Sequence, residues 1–131
     1  YQEAIDTLRR LQTHTPSAAL MEAWCHFYLK DIPGARARFE EVARAMPDNP
    51  DPRNGLGYCA LRQHDVEIAE EAFSKVLDKN PKDVSAAVGM GMVRHRQGRL
   101  QEAAIFLEAV LKAEPDHVEA RELLDKINEK R

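Results

Sequence analysis

The feature that most constrains this chain is a recurrence: Ala69, Phe73, Val76 and Pro81 return at one fixed interval as Ala103, Leu107, Val110 and Pro115. Self-similarity with a period of about 34 residues marks an array of stacked helical units, each too small to bury its own apolar face. The unit is plainest between Asp83 and Pro115, DVSAAVGMGMVRHRQGRLQEAAIFLEAVLKAEP. It reads as two helices folded back on each other, with Gly98 at the turn and Pro115 as the stop. A chain of 131 residues would suit one ordinary domain. A repeat array instead buries surface between neighbouring units, so the expected core is long and thin.

Taken in order, residues 1–16 carry Ala4, Ile5, Leu8 and Leu11 at the spacing of one amphipathic helix, closed by Pro16. Ala4, Leu8 and Leu11 match Ala35, Phe39 and Val42 at a common offset, as the second helix of an incomplete unit. That leaves an apolar face near Tyr1, Ile5 and Leu8 for another repeat to cover. Residues 17–47 form the first complete unit: Ser17 as N-cap, a helix through ALMEAWCHFYL, a turn at KDIPG with Pro33 in the next first turn, and a second helix ARARFEEVARAM. The interval from Pro16 to Pro47 falls short of the period, and Glu22 lands in the column of Leu56 and Met90. This unit is therefore expected to be irregular, its first helix shifted or rotated. Residues 48–81 follow, with Asp51 as cap, Pro52 in the first turn, the helix RNGLGYCALRQ, a turn at His64-Asp65 and the helix VEIAEEAFSKVLDK. Residues 82–115 repeat the plan, and 116–131 read as a terminal capping helix packed through Val118, Ala120, Leu123, Leu124 and Ile127.

Several classes of function are disfavoured. Net charge is −3 with 31% charged residues of both signs, so no strong field attracts phosphate backbones or anionic lipid, and nucleic acid is not an expected partner. No apolar run reaches membrane-spanning length and the first residues lack the pattern of a secretory signal. The start at Tyr1 rather than Met suggests a piece of a longer or processed protein. Cys25 and Cys59, one period apart, occupy equivalent places in neighbouring units. Stacked hairpins hold such places about 10 Å apart, beyond the roughly 7 Å a disulfide spans. Both read as free, small apolar fillers. That points toward a reducing, cytoplasmic compartment, a periplasmic one requiring a signal elsewhere in the protein. His14, His26, His64, His95 and His117 show no metal-ligand spacing, and no Cys-x-x-Cys pair occurs. Glu40-Glu41 and Glu70-Glu71 read as exposed pairs within reach of Arg44 and Lys75, and Gly89-x-Gly91, with no lysine following, reads as helix packing. Neither a cofactor, a metal nor catalysis is expected.

The columns carry a family resemblance. Small residues stand at Ala23, Gly57 and Gly91; alanine opens the second helices at Ala35, Ala69 and Ala103; a large apolar residue follows at Phe39, Phe73 and Leu107; proline separates units at Pro47, Pro81 and Pro115. With these the chain resembles tetratricopeptide repeat proteins over essentially its whole length. It departs from them where the family's first-helix tryptophan column holds Ala19, Arg53 and Ala87, and its tyrosine column His26, Ala60 and Arg94. The resemblance implies an all-α fold, a right-handed superhelical array of antiparallel helix pairs, with a concave groove lined mainly by first helices. Carried over by position, the groove columns are Leu20, Trp24 and Phe27, then Asn54, Tyr58 and Leu61, then Val88, Met92 and His95, with Arg62 and Arg96 at the edge. The implied function is a scaffold that holds a peptide or helix of a protein partner by buried anchors. Two alternatives stand beside it: Trp24 and Phe27 as core, and self-association into a homo-oligomer through the Tyr1 end or the groove. The clamp by which some members grip acidic chaperone C-termini is not expected, since Asn54 stands where its lysine would be, with Gly55 and Gly89 nearby.

Overall fold

A computed structural model describes the backbone of residues 1–10 and 16–130 and the side chains of residues 1–6 and 17–130. These residues hold eight α-helices and no strand: α1 (Gln2–Arg10), α2 (Pro16–Tyr28), α3 (Ile32–Ala45), α4 (Pro50–Arg62), α5 (Val66–Lys79), α6 (Val84–Arg96), α7 (Leu100–Ala113) and α8 (Val118–Lys130). The chain divides into two compact units, Tyr1–Asp65 and Val66–Arg131.

The helix bounds keep the sequence period without a break. First helices begin at 16, 50, 84 and 118, and second helices at 32, 66 and 100. The expectation of a shortened unit is thereby corrected. Pro16 opens α2 in the position of Pro50, where a missing N–H costs no helical bond, and Ser17 lies inside α2 rather than capping it. Of the apolar face expected near the start, Ile5 is corrected to core, one period before Phe39 and only 1% exposed, while Tyr1 is exposed. Leu8 as a packing side chain, Leu11 and His14 lie outside the described residues. At the other end α8 packs through one face and exposes the other, in the register of a first helix.

Local chemistry repeats with the helices. Lys30, His64 and Gly98 all adopt positive φ, at 67°, 62° and 76°, in the turn between paired helices. Only glycine does so without steric penalty. Asn49 and Asp83 cap α4 and α6 by accepting bonds from the backbone N–H of Asp51 (3.0 Å) and Ala86 (2.9 Å). His117 does the same for α8, its Nδ1 accepting from Ala120 N–H at 3.2 Å. The cap of α4 is thus Asn49 and not Asp51. Asp51 lies within the first turn, where its Oδ1 accepts a bond from the Trp24 indole Nε1 at 3.3 Å.

Each unit packs on large residues of its second helices. In the first unit Ala23, Ala35, Phe39 and Cys59 are buried together, with Leu20, Trp24, Phe27, Ile32 and Leu56 against them. The ring of Phe39 lies on the bare backbone of Gly55, and in the second unit Phe73 lies on Gly89, so closely that a methyl group at either glycine would overlap the ring. Gly91 approaches Leu107 as its column implies, a Cβ there coming within 2.9 Å of the leucine. The Gly55 and Gly89 approaches add a second small column, each glycine at the same offset from its own phenylalanine. Around Leu107 the second core closes with Val88, Ala103, Ala104, Val110, Leu111, Ala120, Leu124 and Ile127 buried. Val118, expected to pack, is exposed.

Candidate functional site

In the first unit the first-helix face is aromatic. Trp24 meets Phe27 edge-on at 5.5 Å and stacks with Tyr28 at 6.0 Å, and Tyr28 stacks in turn with Tyr1 at 5.3 Å. Trp24 also touches the buried Phe39 ring at 4.8 Å, so one edge of the indole belongs to the core. Trp24 and Phe27 pack on the core, one of the two alternatives the sequence leaves, and also remain partly exposed. The Arg62 guanidinium lies 5.3 Å over the Phe27 ring, a cation–π contact that holds the exposed arginine at the border of the aromatic surface. Leu20 and Tyr58 are partly exposed. Asn54 and Leu61, each 3% exposed, are not surface. Their expected place in a groove lining is corrected to packing, since a side chain without exposed area offers a partner nothing to bury. Tyr28, 56% exposed, joins the aromatic set; it stands one period before Arg62 and two before Arg96, in the edge column.

The second unit presents Met92 and His95, both partly exposed, and Arg96, exposed. Val88, 1% exposed, belongs to the core and is corrected in the same way. His95 has its pKa lowered, first by burial and then by the positive charges of Lys130, Lys126 and Arg96. Protonating this imidazole would set a fourth cation among three. One period after Val88, Met92, His95 and Arg96, α8 carries Glu122, Lys126, Glu129 and Lys130, so its share of these columns is of mixed sign.

The departures in the tyrosine column are matched by carboxylates. Arg94 donates to Glu70 Oε1 at 2.7 Å and to Gln97 Oε1 at 2.7 Å, while Gln97 Nε2 donates to Glu70 Oε2 at 3.2 Å. Bonding from Arg94 is the main cause that lowers the Glu70 pKa. Glu70 is thus tied to a first helix rather than merely solvated, whereas Glu71 pairs with Lys75 at 3.0 Å as expected. His26 likewise faces Asp31 at 3.0 Å and Glu22 at 3.5 Å. In the first unit Arg36, the counterpart of Glu70, donates to Gln63, the counterpart of Gln97, at 2.6 Å. An amide serves either sign, because it both donates and accepts. These networks fasten helix to helix. Burial pushes the Cys59 thiol up to about 12, with Arg36 and Arg62 opposing the shift, and Cys25 and Cys59 are both free. Among the described residues no group of three or more His, Cys, Asp or Glu could hold a metal ion, and no helix is long and apolar enough to cross a membrane.

This pattern of paired helices with a partly exposed first-helix face defines a helical-repeat interaction scaffold. A family model of the tetratricopeptide repeat matches residues 20–67 and 56–118, and the chain belongs to that family. It is 31% identical over 109 residues, 83% of its length, to Cellulose synthase operon protein C of Komagataeibacter xylinus. It is 32% identical over 90 residues, 69% of its length, to the probable UDP-N-acetylglucosamine–peptide N-acetylglucosaminyltransferase SPINDLY of Solanum lycopersicum. The chain spans only 8% and 10% of those two proteins. Among solved structures, the first TPR of Spaghetti (RPAP3) bound to HSP90 peptide SRMEEVD matches with a TM-score of 0.80. That match covers 88% of this chain and 91% of the other at 23% identity, a likeness of fold. Tetratricopeptide repeat domains mediate protein–protein interactions. The fold is a binding scaffold and not itself catalytic, although relatives such as SPINDLY carry it within enzymes.

Proposed function

We propose that this chain holds a peptide or helix of a partner protein against the exposed faces of its first helices, as part of a larger protein or assembly. The observation that carries this reading is the aromatic surface of Trp24, Phe27 and Tyr28, which remains partly exposed although its inner edge is anchored in the core. Rigid rings presented at low entropic cost are the side chains on which interfaces concentrate their binding energy. Tyr58 in the first unit and Met92 in the second supply further apolar contact area on the same face of their helices. In the first unit Arg62, seated over the Phe27 ring, borders the aromatic surface, which fits the usual plan of an apolar centre with a charged rim.

The double substitution Tyr58→Ala/Met92→Ala should abolish capture of partners from a cell lysate while leaving the helical circular dichroism signal intact. Retained capture by that folded variant would move the site elsewhere. Self-association through the Tyr1 end has less to support it, because Ile5 is buried within its own chain and, among the described residues, the large exposed apolar side chains there are Tyr1, Met21, Tyr28 and Leu29.

A further inference from the structure

The geometry points to a second docking site, where the first turn of α6 and the last turn of α7 take one aromatic side chain of a partner protein. A hollow of about 400 Å³ lies between them. Val110 is buried and Val84 and Ala87 pack against the core around Leu107, so these three form its floor. Pro81, Ala109 and Ala113 are exposed and form its walls. The polar groups stay at the lip: Lys82 and Lys112 are exposed there, and Asp83 turns its carboxylate to the Ala86 N–H at 2.9 Å. An apolar interior with a few polar groups at its mouth is the usual make-up of a binding pocket. This site is separate from the Met92 surface, since Ala87 and Met92 point about 140° apart around α6.

The sequence accounts for the hollow. One period earlier, the places of Ala87, Ala109 and Ala113 hold Arg53, Lys75 and Lys79. Three long side chains give way to three methyl groups while the helices keep their register. What fits follows from how the chain fills its other small columns: Gly55 receives the Phe39 ring and Gly89 the Phe73 ring, each from a second helix of the chain itself. No aromatic residue is among those that line this hollow. A ring brought by a partner meets methyl groups and a proline with broad contact, and only two χ angles have to be fixed. The ring comes on a segment and not as a free small molecule, because the apolar surface continues along α7. Ile105, 66% exposed, stands with Ala109 and Lys112 at i, i+4 and i+7 on one stripe. That stripe runs roughly 10 Å, farther than a single ring reaches. The fitting segment carries an aromatic residue for the hollow and an aliphatic one for Ile105, about two helical turns apart. One ring and one aliphatic contact bury too little surface to hold a partner through the washing of a lysate capture, so this is an accessory contact, one that multivalent display detects.

The test is a selection of random 16-residue peptides displayed multivalently on phage, with the 131-residue chain as bait. Clones are kept that lose binding to two filled variants, Ala87→Trp and Ala109→Lys/Ala113→Lys. One filling is uncharged and the other restores the residues of the preceding repeat, and circular dichroism checks that each stays helical. Kept clones should share a Trp, Phe or Tyr whose change to Ala weakens binding about tenfold or more, as expected for an anchor in a pocket. Ile105→Asp, at an exposed position, should weaken binding as well, whereas Tyr58→Ala/Met92→Ala should leave it unchanged. A selection without any clone sensitive to filling would overturn the inference. So would kept clones that share no aromatic residue, that are indifferent to Ile105→Asp, or that also need Tyr58 and Met92. None of these results bears on the first-helix reading, which stands on its own capture experiment.

Discussion

At the scale of single residues, Phe39 on Gly55 and Phe73 on Gly89 are close fits between helices, each a ring laid on bare helix backbone. Adding a methyl group there forces the ring or the helices apart, and overpacking of this kind costs about 1 to 3 kcal/mol. Gly89→Ala should therefore lower the urea midpoint clearly. Phe73→Leu in the Gly89→Ala background should recover part of the loss, because the smaller side chain makes room for the new methyl. Additive losses in that double-mutant cycle would mean that the two residues do not meet. These contacts are half legible in the sequence. It shows large residues recurring at Phe39, Phe73 and Leu107 and small ones at Gly57 and Gly91. It does not show which glycine faces which ring, since that depends on how far one helix is slid along the next.

Between elements, the Glu70–Arg94–Gln97 network ties α5 to α6. The Glu70 pKa is lowered in the folded chain, first by the bond from Arg94. A lowered carboxylate pKa contributes stability above its unfolded value, and that contribution is lost as pH falls through the folded value. Glu70→Gln should thus destabilise the protein near neutral pH by under about 1 kcal/mol, the range for a partly exposed ion pair. The gap from the unsubstituted chain should close as the pH falls below about 4.5, the ordinary glutamate value. Urea titrations at several pH values measure it, and a gap that widens in acid would rule out the assignment. Helix bounds are legible wherever caps and columns agree, as at α5 to α7. They are not legible at Pro16, because proline stands equally well after one helix and at the start of the next. Nor are they at Asn49-Pro50-Asp51-Pro52, where two potential caps each precede a proline. The turns at Lys30 and His64 give no sign of their positive φ, which only Gly98 announces by composition.

For the whole molecule, the repeat period carries the family and the all-α architecture, and it names the columns from which a binding face is proposed. Burial decides which column members can take part. Trp24, Phe27, Tyr58, Met92 and His95 keep exposed area, while Asn54, Leu61 and Val88 do not. Periodicity does not separate these groups, because a helix presents a stripe roughly 100° wide or more and its edges are read alike. In the last helix the apolar spacing marks the packed face at Ala120, Leu124 and Ile127, while Val118 at its start is exposed because it lies before the helix meets the core. The most direct test of a first-helix binding face is an amide chemical-shift map of the labelled chain titrated with a peptide of a partner whose capture requires Tyr58 and Met92. Shifts should gather on α2, α4, α6 and α8, around Trp24, Phe27, Tyr58, Met92, His95 and Lys126. Shifts gathered instead on the exposed faces of the second helices, around Ile68 on α5 and Ile105 on α7, would contradict it.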